Sequence, residues 1–234
     1  MKKTEFISLL KQNNVDLSEK QVLQFEKYLH LIQEYNKVMN LTGITEEEEV
    51  YEKHFYDSIL FSLNENMDNK KLIDVGSGAG FPGVPLAITY PNMKVTLLEP
   101  LNKRCVFLNV VKNELGLDNV EVVCDRAEVY SKAHKEEFDI ATARAVSKLN
   151  ILLEISSQMV KVGGHFIALK GRIAQEEIDQ AQNALKLLNY KIEKNKEDSL
   201  PSEEDKRANI FIRKMGSTNT KYPRNYSQIK NRPL

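Results

Sequence analysis

The chain has 234 residues, 41% hydrophobic and 28% charged, with 33 basic residues against 33 acidic ones, which is enough for one domain with a buried core and a smaller appendage. Its apolar runs fall far short of the roughly 18 residues that span a bilayer, and its start lacks a signal-peptide pattern, so a cytoplasmic protein without membrane contact is expected. Only Cys105 and Cys124 carry thiols, without a CxxC pattern or paired histidines, which predicts reduced structural cysteines and no metal site.

The first third of the sequence predicts helices. Apolar residues recur at three- and four-residue steps along LSEKQVLQFEKYLHLIQEYNKVMNL, and Ser18 with Gln21 forms a capping box at its start. Thr45 and Glu48 repeat this signal before a second helix in EEVYEKHFYDSILF. We therefore expect residues 1–65 to form a helical subdomain.

After a polar linker, short apolar strands alternate with helices. The predicted strands are Lys71–Val75, Lys94–Leu98, Val120–Cys124, Phe138–Ala143 and Gly164–Leu169, with helices near 102–115, 147–160 and 173–188. Such alternation indicates βαβ units and a parallel sheet. Two final strands, Lys191–Lys196 and Asn209–Lys214, follow without a helix between them. These elements predict an α/β, Rossmann-like domain over residues 66–215, with a seven-stranded, mostly parallel sheet and an N-terminal helical extension.

A glycine-rich turn follows the first of these strands, where an open parallel sheet binds its ligand. Gly76, Gly78 and Gly80 let the backbone turn sharply and approach a ligand closely. A dinucleotide fingerprint needs a glycine at the position of Phe81, and the lysine of a P-loop is missing. Asp74 precedes the glycines and can hold a cationic, amino-acid-like part of a ligand. This pattern resembles the first motif of class I S-adenosylmethionine methyltransferases.

Two further acids extend this interpretation. Glu99 ends the second strand, where a carboxylate can accept both hydroxyls of a ribose. Ala127 and Glu128 follow the third strand, where this fold lays an adenine, although a solvated acid at a helix start is an alternative for Glu128. Together with the glycine turn, these positions predict S-adenosylmethionine as the cofactor.

The residues after the fourth and fifth strands limit the kind of methyl transfer. The stretch ATARAVSK lacks the Asn/Asp-Pro-Pro-aromatic motif that holds an exocyclic amine, and neither cysteine is placed to attack a cytosine carbon. A ring nitrogen such as guanine N7 needs no general base, so positioning would carry most of the catalysis. Arg144 and Lys170 are expected to face the cleft as catalytic cations that donate to guanine O6 or to a phosphate. An ion pair with a structural acid for Arg144 and ordinary solvation for Lys170 are the alternatives.

Several motifs occur in the order and rough spacing of one family. The stretches YNKVMNLTGI, HFYDSI, IDVGSGAGFPGVPLAI, LLEPLNKRCVFL, DRAE, TARA and ALKG resemble the RsmG family, also called glucose-inhibited division protein B, which methylates guanine N7 of small-subunit ribosomal RNA. The resemblance covers nearly the whole chain. It implies a class I methyltransferase fold and methylation of one guanine in the decoding-region loop of 16S rRNA, presented on the small subunit. Apart from the resemblance, we expect a monomer that needs no metal.

The resemblance also assigns residues. It places cofactor contacts on Gly76, Phe81, Ala127, Glu128 and Arg144, and it places an RNA-facing basic cluster on Lys103, Arg104, Arg126 and Lys170. His54 is expected to be a packed or capping histidine without a catalytic part. An NAD-dependent oxidoreductase, disfavoured by Phe81 and Asp74, and a non-catalytic ribosome-assembly factor that binds S-adenosylmethionine or RNA stay open as other classes.

The end of the chain is strongly basic. Eight basic residues and no acid follow Asp205, so the chain up to that residue has a net charge of −8 and the remainder +8. This asymmetry suggests a polyanionic partner, with a solvated terminus as the alternative. The stretch KYPRNYSQIKNRPL resembles a C-terminal extension of part of the family but departs from its usual glycine-containing version. Within a basic tail at 216–234, Lys221 and Arg224 are expected to bind RNA, and Tyr222 and Tyr226 could stack on bases.

Overall fold

A single seven-stranded sheet organises the described part of the chain, with the strand order β3-β2-β1-β4-β5-β7-β6. The computed structural model describes residues 1–171, 175–202 and 206–234. The strands are β1 (Lys71–Val75), β2 (Lys94–Leu98), β3 (Val120–Val123), β4 (Phe138–Arg144), β5 (Val160–Lys170), β6 (Tyr190–Ser199) and β7 (Lys206–Lys214). The first five run parallel, and β7 runs antiparallel to β5 and to β6. The predicted seven-stranded, mostly parallel α/β sheet is confirmed.

The strand order reverses between β1 and β4, which lie side by side although two strands separate them in sequence. Ligands of open parallel sheets bind at such a switch point, beyond the carboxyl ends of the strands. The carboxyl ends of β1, β2 and β4 are occupied by Val75, Leu98 and Arg144. The topology therefore brings the glycine turn, Glu99 and Arg144 to one edge of the sheet.

Helices cover both faces of the sheet. They are α1 (Lys3–Gln12), α2 (Glu19–Met39), α3 (Glu47–Glu49), a π-helical segment (Val50–Tyr56), α4 (Asp57–Leu60), α5 (Gly83–Thr89), α6 (Asn102–Leu115), α7 (Ala127–Ala133), α8 (Leu149–Ile155), α9 (Gln175–Gln180), α10 (Gln182–Leu187) and α11 (Tyr226–Asn231). Among the described residues, none of these helices combines the length and hydropathy of a membrane span.

The two predicted capping boxes have different outcomes. Ser18 caps α2 as expected, because its Oγ accepts from the backbone N–H of Gln21 (3.3 Å) and the Gln21 side chain accepts from the Ser18 N–H (2.9 Å). The box predicted for Thr45 and Glu48 is wrong, since α3 begins after Glu46 without a side-chain cap. The helical run then widens into the π-helical segment, a feature that is frequent at functional sites.

Three other predicted boundaries are corrected. The helix expected at 173–188 divides into α9 and α10, and residues 173 and 174 lie outside the described residues. The fifth strand was expected to start at Gly164, but β5 starts at Val160 and contains a bulge, because its register with β4 shifts between Phe138 and Ile140. Cys124, expected in the core of the third strand, lies just beyond β3 and is exposed.

The N-terminal helices and the sheet contribute to one hydrophobic cluster. Phe25 and Phe55 of the helical region pack with Leu72 of β1 and Phe107 of α6 in this cluster. A second cluster on the other side of the sheet contains α8, α10 and residues from the end of the chain, including Ile229. Burial of these apolar side chains, at about 25 cal/mol per Å² of apolar surface, fixes both ends of the chain against the sheet.

Candidate active site

A cavity of about 750 Å³ lies at the carboxyl ends of the parallel strands. Its walls include most of the residues that the sequence assigns to the cofactor: Gly76, Gly78, Phe81, Glu99, Ala127, Glu128 and Arg144. Arg104 and Arg126, predicted to face RNA, line it as well. Asp74, Gly80, Lys103 and Lys170 do not belong to the lining. The structure thus brings together predicted residues from four separate segments of the chain.

The glycine turn has two positions that exclude a side chain. Gly76 has φ of +75°, and a Cβ there would lie 2.8 Å from a methyl group of Val146. At Gly80, with φ of +106°, a Cβ would approach the hydroxyl of Tyr28 to 2.7 Å. That hydroxyl donates to the Ala79 carbonyl (2.6 Å). The absence of a side chain at Gly76 therefore leaves room for Val146 in the cavity wall, whereas the absence of one at Gly80 lets the loop pack against α2.

Asp74 is fully buried behind the glycine turn. Its Oδ2 accepts a hydrogen bond from the N–H of Gly83 (2.9 Å), while its Oδ1 has no hydrogen-bond partner among the described residues. Burial raises the pKa of Asp74 to about 7, although the Gly83 N–H and the charge of Arg144 oppose the shift. The side chain therefore has one acceptor oxygen left for a further donor.

Glu99 is held in place by the backbone at the start of α6 and by the glycine turn. Its Oε1 accepts from the N–H of Leu101 (3.0 Å) and its Oε2 from the N–H of Gly78 (2.9 Å). Arg104 lies 3.8 Å from the same carboxylate. Each carboxylate oxygen can accept a second hydrogen bond, so a rigid pair of acceptors remains available at the cavity wall.

The wall beyond β3 contains an arginine bound to an acid and to an aromatic ring. Arg126 Nε donates to Glu128 Oε1 (2.6 Å). The Arg126 guanidinium carbon also lies 4.8 Å from the ring centroid of Tyr226, which itself lines the cavity. This cation–π contact brings the C-terminal segment to the cavity, which the sequence did not predict.

Arg144 enters the cavity from the end of β4 and is fixed by the π-helical segment. Its Nη1 donates to the Lys53 carbonyl (3.1 Å) and to Asp57 Oδ2 (3.2 Å), and its Nη2 lies 3.2 Å from His54 Nδ1. The guanidinium carbon lies 4.9 Å from the centroid of the Phe81 ring. The ion pair with a structural acid that was the alternative role for Arg144 is therefore observed, and the acid is Asp57.

His54 is a packed histidine, as expected, and it also forms part of the cavity wall. Its ring stacks on Phe81 with 4.4 Å between centroids, and its Nε2 lies 2.8 Å from Thr42 Oγ1. Nδ1 lies 3.2 Å from Arg144 Nη2 and 3.1 Å from the Lys53 carbonyl. Because arginine can only donate, the contact with Arg144 requires Nδ1 to accept and Nε2 to donate to Thr42, and the Lys53 carbonyl then accepts from Arg144 Nη1. Burial, followed by the charge of Arg144, lowers the pKa of His54 to about 3. The imidazole is therefore a neutral support for Arg144.

Sequence reasoning missed His54 and Asp57 as parts of this site. The available signal was their spacing in HFYDSI, three residues apart on a helical segment, which places both side chains on the same face. The sequence could not show that Asp57 binds Arg144, which lies 87 residues further along the chain.

Three predicted cations are engaged by other groups. Lys170 Nζ donates to the Ser147 carbonyl (2.8 Å) and to Glu177 (2.6 Å), just outside the cavity lining. The two side-chain nitrogens Nε and Nη2 of Arg224 each donate to Glu154 at 2.7 Å, and Glu154 is fully buried. Arg126 is paired with Glu128 inside the cavity. These contacts argue against a free RNA-binding guanidinium at Arg224, whereas Lys103 and Lys221 are exposed.

The aromatic residues of the tail also differ from expectation. Tyr222 is buried, so the predicted stacking of its ring on a base is not possible in this fold. Tyr226 is 37% exposed and keeps a free surface toward the cavity.

Comparisons with known proteins agree on one family. A family model described as GidB, rRNA small subunit methyltransferase G, matches residues 21–209. A Streptococcus gordonii protein named ribosomal RNA small subunit methyltransferase G is 45% identical over 98% of this chain and 98% of its own. A protein of the same name from Lactobacillus acidophilus is 44% identical over 100% of both chains. The crystal structure of M. jannaschii TYW2 in complex with AdoMet has a TM-score of 0.54 at 15% identity, over 68% of this chain and 76% of that one, which shows a common fold.

Proposed function

This chain belongs to the ribosomal RNA small subunit methyltransferase G family, and on that premise we propose that it transfers a methyl group from S-adenosylmethionine to N7 of a guanine in the decoding-region loop of 16S rRNA. The observation that carries the proposal is the cavity at the strand switch point, where Glu99 is fixed by two backbone amides beside the glycine turn. The partner is 16S rRNA in the small ribosomal subunit, and the enzyme acts in the cytoplasm as a monomer.

The residues of the cavity fit S-adenosylmethionine. The two free acceptor positions of Glu99 suit the vicinal hydroxyls of a ribose, and Ala127 with Glu128 forms the wall for the adenine. Asp74 is buried behind the glycine turn and outside the cavity lining, so direct contact of its unpartnered Oδ1 with the ammonium group of a methionine moiety would require the turn to move. Such a contact would favour the ionised carboxylate, because an opposite charge nearby lowers the pKa of an acid. Bound there, the cofactor supplies an electrophilic methyl group on a sulfonium sulfur.

The chain's own contribution to the chemistry is positioning. Guanine N7 attacks with a lone pair and loses no proton in that step, so neither a general base nor a metal is required. Arg144 presents a guanidinium held from behind by Asp57 and His54, and its remaining N–H donors orient guanine through O6 or a phosphate oxygen. Phe81 is buried against the guanidinium and the ring of His54, so it helps to fix Arg144 in the cavity wall.

Lys170 acts differently from the direct contact that the sequence suggests. Its ammonium holds the carbonyl of Ser147, which lines the cavity, and pairs with Glu177. In this account Lys170 is a positioning residue that fixes the loop after β4. Direct contact with guanine would require breaking its ion pair with Glu177.

RNA binding uses exposed cations beside the cavity wall and in the C-terminal segment. Lys103 is exposed at the start of α6, next to Arg104 in the cavity wall, and Lys221 is exposed in the C-terminal segment. Such cations neutralise phosphates and give affinity without sequence specificity. Specificity for one guanine then depends on how the ribosomal subunit presents it.

The test is transfer of tritiated methyl groups from S-adenosylmethionine to small subunits purified from a strain that lacks this enzyme. We expect label in small-subunit rRNA, none in large-subunit rRNA, and a strong loss of label with Arg144→Ala. Cofactor binding measured by calorimetry without any label in rRNA would refute the methyltransferase proposal and favour a non-catalytic ribosome-assembly factor.

A further inference from the structure

The C-terminal segment, residues 216–234, is fixed to the body of the protein instead of extending from it. Arg224 binds the buried carboxylate of Glu154 on α8 through two parallel hydrogen bonds of 2.7 Å. Bidentate pairs of this kind are strong and directional. Ile229 of α11 is fully buried in the cluster on the same side of the sheet.

Further bonds hold the segment along its length. The side-chain amide of Gln158 donates to the carbonyls of Thr218, Asn219 and Tyr222 at 3.3, 3.2 and 2.8 Å. At the other end, Asn150 Nδ2 donates to the Leu234 carbonyl (3.2 Å). The segment is therefore anchored on both sides of α11, and the position of this helix is set by the body of the protein.

This anchoring places Tyr226 at the cavity. Tyr226 is the first residue of α11, directly after the capping residue Asn225. Tyr226 lines the same cavity as Ala127 and Glu128 at the start of α7, and Arg126 lies over one face of its ring. At 37% exposure, part of this residue is not covered by the protein and is available to a ligand in the cavity.

We propose that Tyr226 is a cofactor-binding residue and that the C-terminal segment forms the wall at the adenine end of the cavity. The inference rests on the proposed function, since it takes S-adenosylmethionine as the ligand. Adenine is a planar, neutral aromatic group, and packing it against a tyrosine buries apolar surface on both partners. Arg126 contributes by fixing the ring from its other face and by orienting Glu128 through their hydrogen bond.

The chain contains no tryptophan, which allows a direct optical test. A Tyr226→Trp variant has one tryptophan, located in the cavity wall. We expect its fluorescence to change saturably on titration with S-adenosylhomocysteine, with the same Kd that calorimetry gives for the unaltered protein. A Lys230→Trp variant, on an exposed position of the same helix, is the matched control and should show no change.

Affinity provides the second test. Tyr226→Ala should weaken binding of S-adenosylmethionine and S-adenosylhomocysteine about three- to tenfold, whereas Tyr226→Phe, which retains the ring, should stay within about twofold of the unaltered protein. Circular dichroism and thermal unfolding would verify that both variants are folded. Should Tyr226→Ala fail to fold, the fluorescence titration decides alone.

The outcomes separate this inference from the proposed function. Unaltered cofactor affinity in Tyr226→Ala, together with a raised KM for small subunits, would overturn the inference and assign the ring to RNA. A protein that binds the cofactor through Tyr226 but labels no rRNA would instead refute the proposed function and leave the inference standing.

Discussion

Arg144 and Asp57, 87 residues apart in sequence, form an ion pair in which Nη1 lies 3.2 Å from Oδ2. The other carboxylate oxygen of Asp57 accepts from Arg207 Nε (3.2 Å). The pair joins the end of β4 to α4, and His54 of the helical region lines the same cavity as Arg144. The same pair leaves the Nε–H of Arg144 without a partner among the described residues, so the guanidinium is both fixed and able to donate to a substrate.

Arg144→Ala should lower kcat about 100- to 1000-fold, since it removes a donor from the reacting base. Stability should fall by only about 1–3 kcal/mol, because Asp57 keeps its partner Arg207. Arg144→Lys keeps the charge but loses the planar fork, and should recover only part of the activity. Steady-state kinetics and urea unfolding measure both effects.

The control for this prediction is Asp57→Asn, which loosens Arg144 without removing it. We expect Asp57→Asn to lose about as much stability as Arg144→Ala but to retain more of kcat. Equal losses of kcat in Asp57→Asn and Arg144→Ala would indicate that Arg144 has only a structural role.

His54 should make stability decrease toward acid pH. Its folded pKa of about 3 lies below the ordinary 6.5, so between these values the unfolded state binds more protons. Stability is then lost as pH falls from 6.5 toward 3, by up to about 1.4 kcal/mol per pH unit. Urea unfolding at several pH values should show this loss reduced in His54→Gln, and parallel curves for the two proteins would contradict the assignment.

Asp74 should have the opposite pH dependence. Its folded pKa of about 7 lies above the ordinary 3.8, so the folded state binds more protons, and this stabilisation is lost as pH rises from 3.8 through 7. Asp74→Asn should therefore be at least as stable as the unaltered protein at pH 8. At the same pH its affinity for S-adenosylmethionine should fall about tenfold.

Calorimetry at pH 8 distinguishes the two roles of Asp74. An unchanged Kd in Asp74→Asn would mean that the carboxylate serves only the Gly83 N–H and does not bind the cofactor.

Neither cysteine should be needed for turnover. Cys105 is buried, its Sγ donates to the Glu99 carbonyl (3.1 Å), and burial raises the pKa of its thiol to about 12, so no thiolate forms there at neutral pH. Cys124 is exposed. Cys124→Ala should retain kcat within about twofold, and Cys105→Ala should retain it after a loss of stability of about 1 kcal/mol.

Methyl-transfer assays on both cysteine variants give the test, with Arg144→Ala as the inactive reference. A fall in kcat of more than about tenfold in both variants, with folding intact, would favour a covalent mechanism on carbon.

Local patterns predicted the sheet well. The bounds of β1 and β2 match the predicted Lys71–Val75 and Lys94–Leu98, because each is a short apolar run between polar residues. The capping box at Ser18 is a local motif formed by two residues, Ser18 and Gln21, that lie three positions apart. The location of the cavity followed from topology, since parallel strands bring their carboxyl ends to one edge.

Tertiary contacts account for what the sequence did not predict. The ion pair of Arg144 with Asp57 and the contact of Arg126 with Tyr226 join distant segments, and no spacing rule reports them. The basic tail was predicted to be free for RNA, but its central arginine, Arg224, pairs with Glu154, a buried acid on α8. The π-helical segment replaced an ordinary helix where His54 lines the cavity, directly before Asp57 at the start of α4.

The most direct measurement is nucleoside analysis of small-subunit rRNA after methyl transfer by the purified protein, with the labelled fragment mapped by nuclease protection. If the proposed reaction is correct, we expect one labelled nucleoside, 7-methylguanosine, from the decoding-region loop. Label in another nucleoside, or in 7-methylguanosine from another part of the rRNA, would contradict it.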